Sequence, residues 1–275
     1  MRFEVTNAPL RGKTYVPAGS PETDVQEPLV LPIPANELNG SGALGPYWTF
    51  YHAVVAEQLR QWLPDRPSLL LDLSGGRGRG PAQAARAGHR VIEVLDFRKP
   101  AEPWLRDASD RIQKVRADDL GFLPDGSVDA VIAEERVLSV EIMTESVLED
   151  VFRVLKPGGR VLMCVDSLVL GMAILAEQNY WAHLCQTGEV MLIPWPDGSI
   201  TRCFTSGQVR ELITGAGLEV EWIRPRTVLS PSTVDHVLGS DSRSLAWLVR
   251  TELETQSDDD DTVGIHLVAS ARKPL

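Results

Sequence analysis

Residues 69–80 read LLLDLSGGRGRG, and no other stretch restricts the fold of this chain as much. Leu69, Leu70, Leu71 and Leu73 surround a single acid, Asp72, and glycines follow at positions 75, 76, 78 and 80. A short apolar run closed by glycines fits a buried parallel strand entering a tight turn. Glycine accepts positive φ and lets a ligand approach the backbone closely. Pro81 suits the first turn of a helix, where its missing N–H costs no hydrogen bond. The expected order is therefore strand, glycine turn, helix.

A dinucleotide-binding turn needs G-x-G-x-x-G. Counting from Gly76 and Gly78, the third position is Pro81, so that register fails. The order of acid, glycine turn and helix resembles motif I of the class I S-adenosylmethionine-dependent methyltransferases, D-L-G-x-G-x-G. It is read here at Asp72, Leu73, Ser74, Gly75, Gly76, Arg77 and Gly78. Ser74 stands where the family usually has its first glycine.

Two later stretches resemble the same family, in order and at its spacing. The family pattern D-x-x-x-L-P-F-x-D-x-S-F-D-x-V is met at Asp118, Leu123, Pro124, Asp125, Ser127, Asp129 and Val131, with Phe122 before Leu123 instead of after the proline. The pattern R-V-L-K-P-G-G-R followed by apolar residues is met at 153–162. The resemblance covers roughly residues 69–165. A weaker likeness continues in FTSGQVRELITGAG, where Val209 takes a position more often held by leucine.

The resemblance implies an α/β, Rossmann-like, seven-stranded and mostly parallel sheet of order 3-2-1-4-5-7-6, with helices on both faces and an antiparallel last strand at the sheet edge. It also implies a methyltransferase domain over 45–275, with an acceptor-pocket insertion at about 167–200. Residues 1–44 carry Pro9, Pro17, Pro21, Pro28, Pro32 and Pro34 and little periodicity. They read as an N-terminal arm that covers the active site or mediates homodimer contacts.

The local patterns agree with that scheme. Trp48, Tyr51, Val55, Leu59 and Trp62 recur at helical spacing, predicting a helix over 45–63. Strands are expected at 90–97, 111–120, 128–133, 159–165, 218–223 and 263–273. Helices are expected at 81–88, 144–156, 168–185 and 242–254, and another after Thr205, whose Gln208 three residues later makes a capping box. PWPDGS is a turn and TQSDDDDT an acidic linker.

Asp96 lies eighteen positions after Gly78, near the ~20-residue offset at which an acid meets ribose hydroxyls. Glu93 competes for that role if the register differs. By resemblance, the S-adenosylmethionine site draws on Tyr51, Asp72, Ser74, Gly76, Gly78, Asp96, Phe97, Asp118, Asp119, Leu120 and Glu134. Asp72 would face the cofactor's ammonium through loop backbone or water, and Asp118 would accept from the adenine amino group. Tyr47, Tyr51 or His52 would reach the methionine end or the acceptor. Glu134, at the carboxyl end of the fourth strand, would orient the substrate or stabilise the sulfonium charge; a surface acid is the other reading. A base is needed only if the acceptor must lose a proton. Of the five histidines, His183 is the preferred candidate, beside Tyr180 and Trp181. His89, in a surface turn, and His266, in an edge strand, are disfavoured.

A net charge of −11 argues against nucleic-acid partners. No apolar run reaches the ~18 residues of a membrane span, and the first residues lack a signal-peptide core. Cys164, Cys185 and Cys203 form an odd set without C-x-x-C spacing, which speaks against disulfides or zinc and for a cytoplasmic protein. The expected activity is methyl transfer from S-adenosyl-L-methionine to a small-molecule acceptor, possibly in secondary metabolism, with no metal. A non-catalytic cofactor-binding or regulatory protein and an NAD(P)-dependent oxidoreductase are the alternatives.

Overall fold

In the computed structural model, described over residues 45–76, 79–95, 110–180, 190–195, 198–256 and 264–275, a twisted sheet separates two apolar layers. The chain enters through helix α1 (Gly45–Trp62). Strand β1 (Leu69–Gly75), helix α2 (Gly80–Arg86), β2 (Arg90–Leu95) and β3 (Ile112–Arg116) follow. Then come β4 (Val128–Ala133), α3 (Val137–Val140), α4 (Thr144–Val154), β5 (Leu155–Ser167) and α5 (Leu168–Glu177). A hairpin of β6 (Met191–Pro194) and β7 (Ile200–Phe204) leads to α6 (Ser206–Gly215) and β8 (Glu219–Arg226). Helices α7 (Pro231–Ser240) and α8 (Leu245–Thr255) precede β9 (His266–Arg272).

Alternation along the strands explains the layers. Leu71, Val131, Val161 and Met163 face α4 and α6, meeting Leu148, Val151, Val209 and Ile213. Leu70, Ala130, Ile132 and Leu162 face the other way, against Leu59 and Trp62 of α1 and Ala84 of α2. A third cluster joins α1 to α7 and α8 through Tyr47, Phe50, Val54, Val234 and Leu248.

Strands β3, β2, β1, β4 and β5 pair in parallel in that order. β9 runs antiparallel against β5, and β8 runs antiparallel against β9. Counting only these seven strands gives the expected order 3-2-1-4-5-7-6. Two corrections arise. The last strand is internal, lying between β5 and β8 instead of at the edge. The sheet also has nine strands among the described residues, because the insertion contributes the hairpin. The sequence there shows the turn, where Trp195 N donates to Ser199 O at 2.8 Å, but its strands are too short to show a period.

The hairpin's place follows from register. Asp166 pairs with both His266 and Cys203, so β9 and β7 lie on opposite edges of β5. β4 shares the β7 edge but pairs only as far as Met163. The hairpin therefore extends the sheet directly beyond the carboxyl end of β4.

Candidate active site

The glycine turn of β1 is as the sequence predicts. Gly75 and Gly76 take φ of 67° and 81°, which side chains with a Cβ tolerate poorly. Asp72, fully buried, faces the turn itself: Ser74 N donates to Oδ1 at 3.0 Å and Ser74 Oγ donates to Oδ2 at 3.2 Å. The serine that departs from the family pattern thus supplies a hydrogen bond that glycine could not. Burial pushes the Asp72 carboxyl up to about 8, against the Ser74 bonds and helped by Glu93. Glu93 sits inside β2, 2% exposed and 3.6 Å from Lys114, so it is not poised beyond the strand's carboxyl end.

Two motif stretches that read separately are tied together. Arg153 donates to the carbonyls of Leu120 and Leu123 at 2.9 and 2.8 Å and to Asp125 at 3.1 Å. Lys156 donates to Asp129 at 2.6 Å, and the other Asp129 oxygen accepts from Leu69 N at 2.8 Å. These bonds hold the loop at 118–125 against the sheet. Asp118 and Asp119 are exposed on it, Asp119 accepting from Gly121 N at 2.8 Å, while Leu120 is buried. Gly78, Asp96, Phe97 and His183 lie outside the described residues.

Glu134 neither reaches toward a ligand nor sits on the surface. Arg226, wholly buried on β8, donates to both its oxygens at 2.9 Å. Arg226 Nε also donates to Gln58 of α1 at 2.7 Å, and its guanidinium lies 5.8 Å from the Tyr51 ring. The substrate-orienting reading of Glu134 is corrected on that ground: its carboxylate is consumed by a neighbouring cation. Arg226 gave no sequence signal, since an arginine ending a short strand is ordinary.

Immediately after Glu134, Glu135 and Arg136 both adopt left-handed backbone, φ 58° and 60°. Such conformations cost roughly 1–2 kcal/mol per residue and gather at functional sites. The turn swings the Arg136 guanidinium onto Asp166 of β5, with Nε and Nη2 donating at 2.5 and 2.8 Å. The same guanidinium stacks 4.9 Å from the ring centre of Trp195 in the hairpin.

His266 overturns its disfavoured status. Because β9 is internal, the imidazole is buried, with Nδ1 3.3 Å from the Tyr51 hydroxyl and Nε2 3.5 Å from Asp166. Burial, then Arg136 and Arg226, hold it well below the ordinary histidine range. Tyr47 turns away into the helix cluster and is 1% exposed. His89 is also buried, contrary to the surface-turn reading, because its N–H closes α2 on the Ala84 carbonyl.

His52, next to Tyr51 on α1, has a buried Nε2 with no hydrogen-bond partner among the described residues. Burial, Arg79 after the glycine turn and Arg226 lower its pKa to about 4. A buried polar atom without a partner calls for an explanation, and a ligand's polar group supplies one. These residues fit the amino-acid end of S-adenosylmethionine. Among the described residues no His, Cys, Asp or Glu group could hold a metal ion, and no helix is long and apolar enough to cross a membrane.

Comparisons with known proteins bear on the same stretch. Residues 71–163 match the methyltransferase domain model. A demethylmenaquinone methyltransferase of Clavibacter sepedonicus is 35% identical over 102 residues, which is 36% of this chain and 41% of that protein. The match thus spans about two fifths of the relative's length. The crystal structure of Burkholderia thailandensis 1,6-didemethyltoxoflavin-N1-methyltransferase, with 1,6-didemethyltoxoflavin and S-adenosylhomocysteine bound, superposes with a TM-score of 0.51 at 18% identity. That superposition covers 90% of this chain and 94% of the other. The [4+2]-cyclase SpnF superposes at 0.53 and 17% identity over 87% of this chain and 85% of its own. Residues 71–163 carry a methyltransferase domain, and the chain around them has the fold of the class I S-adenosylmethionine-dependent methyltransferases.

Proposed function

We propose that this chain transfers a methyl group from S-adenosyl-L-methionine to a small-molecule acceptor, in secondary metabolism. The observation that carries the reading is the glycine turn of β1, left-handed at Gly75 and Gly76 and braced by Asp72 and Ser74. When bound, the cofactor supplies a methyl group already activated for displacement.

The chain's own residues do the rest. Asp72 and Ser74 fix the turn so that its backbone meets the ligand without rearrangement. Gly78, Asp96 and Phe97, outside the described residues, are the ribose contacts this reading calls for, and Asp118, Asp119 and Leu120 receive the base. Their loop is held by Arg153. Tyr51, Arg226 and His266 wall the opposite side, and the hairpin beyond β4 closes the acceptor's approach. Orientation and exclusion of water are the largest contributions a protein makes to such a displacement. The demethylmenaquinone and toxoflavin enzymes favour a flat, unsaturated ring acceptor. His183 belongs to the insertion by sequence and lies outside the described residues. No nucleic-acid or membrane partner enters the scheme; a homodimer through residues 1–44 is compatible with it.

A second reading keeps the fold without methyl transfer. It is favoured by the absorption of Glu134 into a structural ion pair and by a cyclase built on this fold. Calorimetric titration with S-adenosylmethionine and with NAD, followed by transfer of labelled methyl to ring acceptors, tests both. Micromolar cofactor affinity with label transfer supports the first. Affinity without transfer to any acceptor supports the second, and NAD affinity alone overturns both.

A further inference from the structure

We propose that Asp166, His266 and Tyr51 form a proton-accepting chain for the methyl acceptor, which bears a phenolic or enolic hydroxyl, and that the Tyr51 hydroxyl is the group that meets it. The proposal rests on the methyl-transfer reading and deepens it.

Geometry sets the direction of the chain. His266 Nε2 faces the Asp166 carboxylate at 3.5 Å, so that nitrogen carries the ring hydrogen. Nδ1 is then an acceptor, and the Tyr51 hydroxyl donates to it across 3.3 Å. Asp166 is fixed by the Arg136 fork and by its own N–H, which donates to Ser139 Oγ at 2.8 Å. Acid, imidazole and hydroxyl thus stand in the order that lets a hydroxyl exchange one proton for another.

The chain lies where an acceptor must arrive. Tyr51 packs edge-on against His52, ring centres 5.6 Å apart, and His52 carries a buried nitrogen without a partner among the described residues. On the far side, the Arg136–Trp195 stack joins the chain to the insertion hairpin. The three residues therefore link the helix that carries His52 to the insertion hairpin.

The fold does not require them. Replacing a buried charged network by apolar residues of similar volume is often neutral or stabilising, yet α1, β5 and β9 each place a polar group here. Proton removal gives the arrangement a use. An amine attacks through its lone pair while neutral, whereas a phenol or enol must lose its hydrogen as its oxygen becomes nucleophilic. The acceptor O–H passes its proton to Tyr51 Oη as Tyr51 passes its own to His266 Nδ1. The acceptor oxygen–methyl bond forms as the sulfur–methyl bond breaks, leaving S-adenosylhomocysteine and an imidazolium beside Asp166. One positive charge disappears from sulfur as one appears on His266.

The charged and titratable groups beside His266 are Asp166 of β5, Tyr51 of α1, Arg136 after β4 and Arg226 of β8, while Cys164, Glu134 and Glu135 act on Tyr51. Arg136 and Arg226 each pair with an acid, yet with burial they still hold His266 well below its ordinary range, so its imidazolium is transient. Burial raises the Tyr51 phenol well above its ordinary value, so Tyr51 exchanges protons without dwelling as a phenolate.

The test uses the full chain loaded with sinefungin, a cationic cofactor analogue that cannot transfer methyl, and 4-nitrophenol, whose ionisation is read by absorbance. Y51F keeps the ring and its packing, and both proteins are compared at saturating sinefungin, so that a change in analogue affinity does not enter the reading. Bound nitrophenol should ionise about tenfold more readily in wild type than in Y51F, the size of a single nearby-group effect. Nitrogen-15 spectra of the wild-type histidines should show His266 as the Nε2–H tautomer, with Nδ1 shifted in Y51F. Equal ionisation in both proteins, nitrophenol that does not bind, or an Nδ1–H tautomer each overturns the chain. Loss of sinefungin binding in wild type itself instead overturns the methyl-transfer reading.

Discussion

At the scale of single residues, the site holds its charges under tension. Asp72 is protonated far more easily in the folded chain than in the unfolded one, with a pKa near 8 against an ordinary value near 4. Below pH 4 both states hold the proton and no penalty exists. As pH rises toward 8 the unfolded chain releases it and the folded chain resists, so stability falls. Unliganded wild type should therefore lose roughly 2–4 kcal/mol relative to Asp72→Asn between pH 5 and pH 8, measured by urea unfolding at each pH. The Glu134–Arg226 pair gives the opposite lesson. Glu134→Gln leaves a guanidinium buried without its counter-ion, which costs about 3–5 kcal/mol. The denaturation midpoint should fall accordingly, while an exposed acid such as Asp118 changed to Asn should leave it unmoved. Neither role could be read from the sequence alone. Asp72 stood out there because glycines follow it. Glu134, one of two adjacent acids, gave no hint that its partner lies on a strand 92 positions later.

At the scale of elements, short motifs work in pairs. The loop at 118–125 and the α4–β5 junction match the family pattern separately, and the structure shows Arg153 bracing the loop while Lys156 ties the junction to Asp129 of β4. Arg153→Ala should free two loop carbonyls and weaken S-adenosylhomocysteine binding about tenfold, each hydrogen bond to a charged donor contributing some 1.5–3 kcal/mol. Calorimetry checks it. The insertion was legible only in outline. Its apolar helix and its turn carry local signals, but four- and five-residue strands do not. Its docking depends on Gly171 of α5, where an added Cβ would lie 2.9 Å from Cys203 Sγ and 3.0 Å from Ile193. Gly171→Val should pry the hairpin off α5 at a cost of roughly 1–3 kcal/mol, seen as faster amide exchange in β6 and β7 with β1 to β4 unchanged.

Across the whole molecule, the parallel half of the sheet was readable because each strand is a dense apolar run with turn residues after it. The order of the antiparallel half came through the family resemblance alone, since nothing local in β8 or β9 says which lies inside, and the edge placement read for the last strand did not agree with it. His266 was set aside for that reason alone. Ligand linkage offers a test at this scale: a hundredfold excess of S-adenosylmethionine over its dissociation constant should stabilise the chain by about 2.7 kcal/mol. The same excess of NAD should leave the melting temperature where it was.

The interior position of β9 also bears on how the protein is made. Among the described residues β8 pairs only with β9, and α7 and α8 must be synthesised before that partner exists. While the ribosome is still adding those helices, β8 has an unpaired edge and Asp166 has no imidazole beside it. Closing such a sequence-distant contact is slow, so the nascent chain waits, with its parallel half able to form first, for one strand to wedge itself between two others and bring His266 beside Asp166.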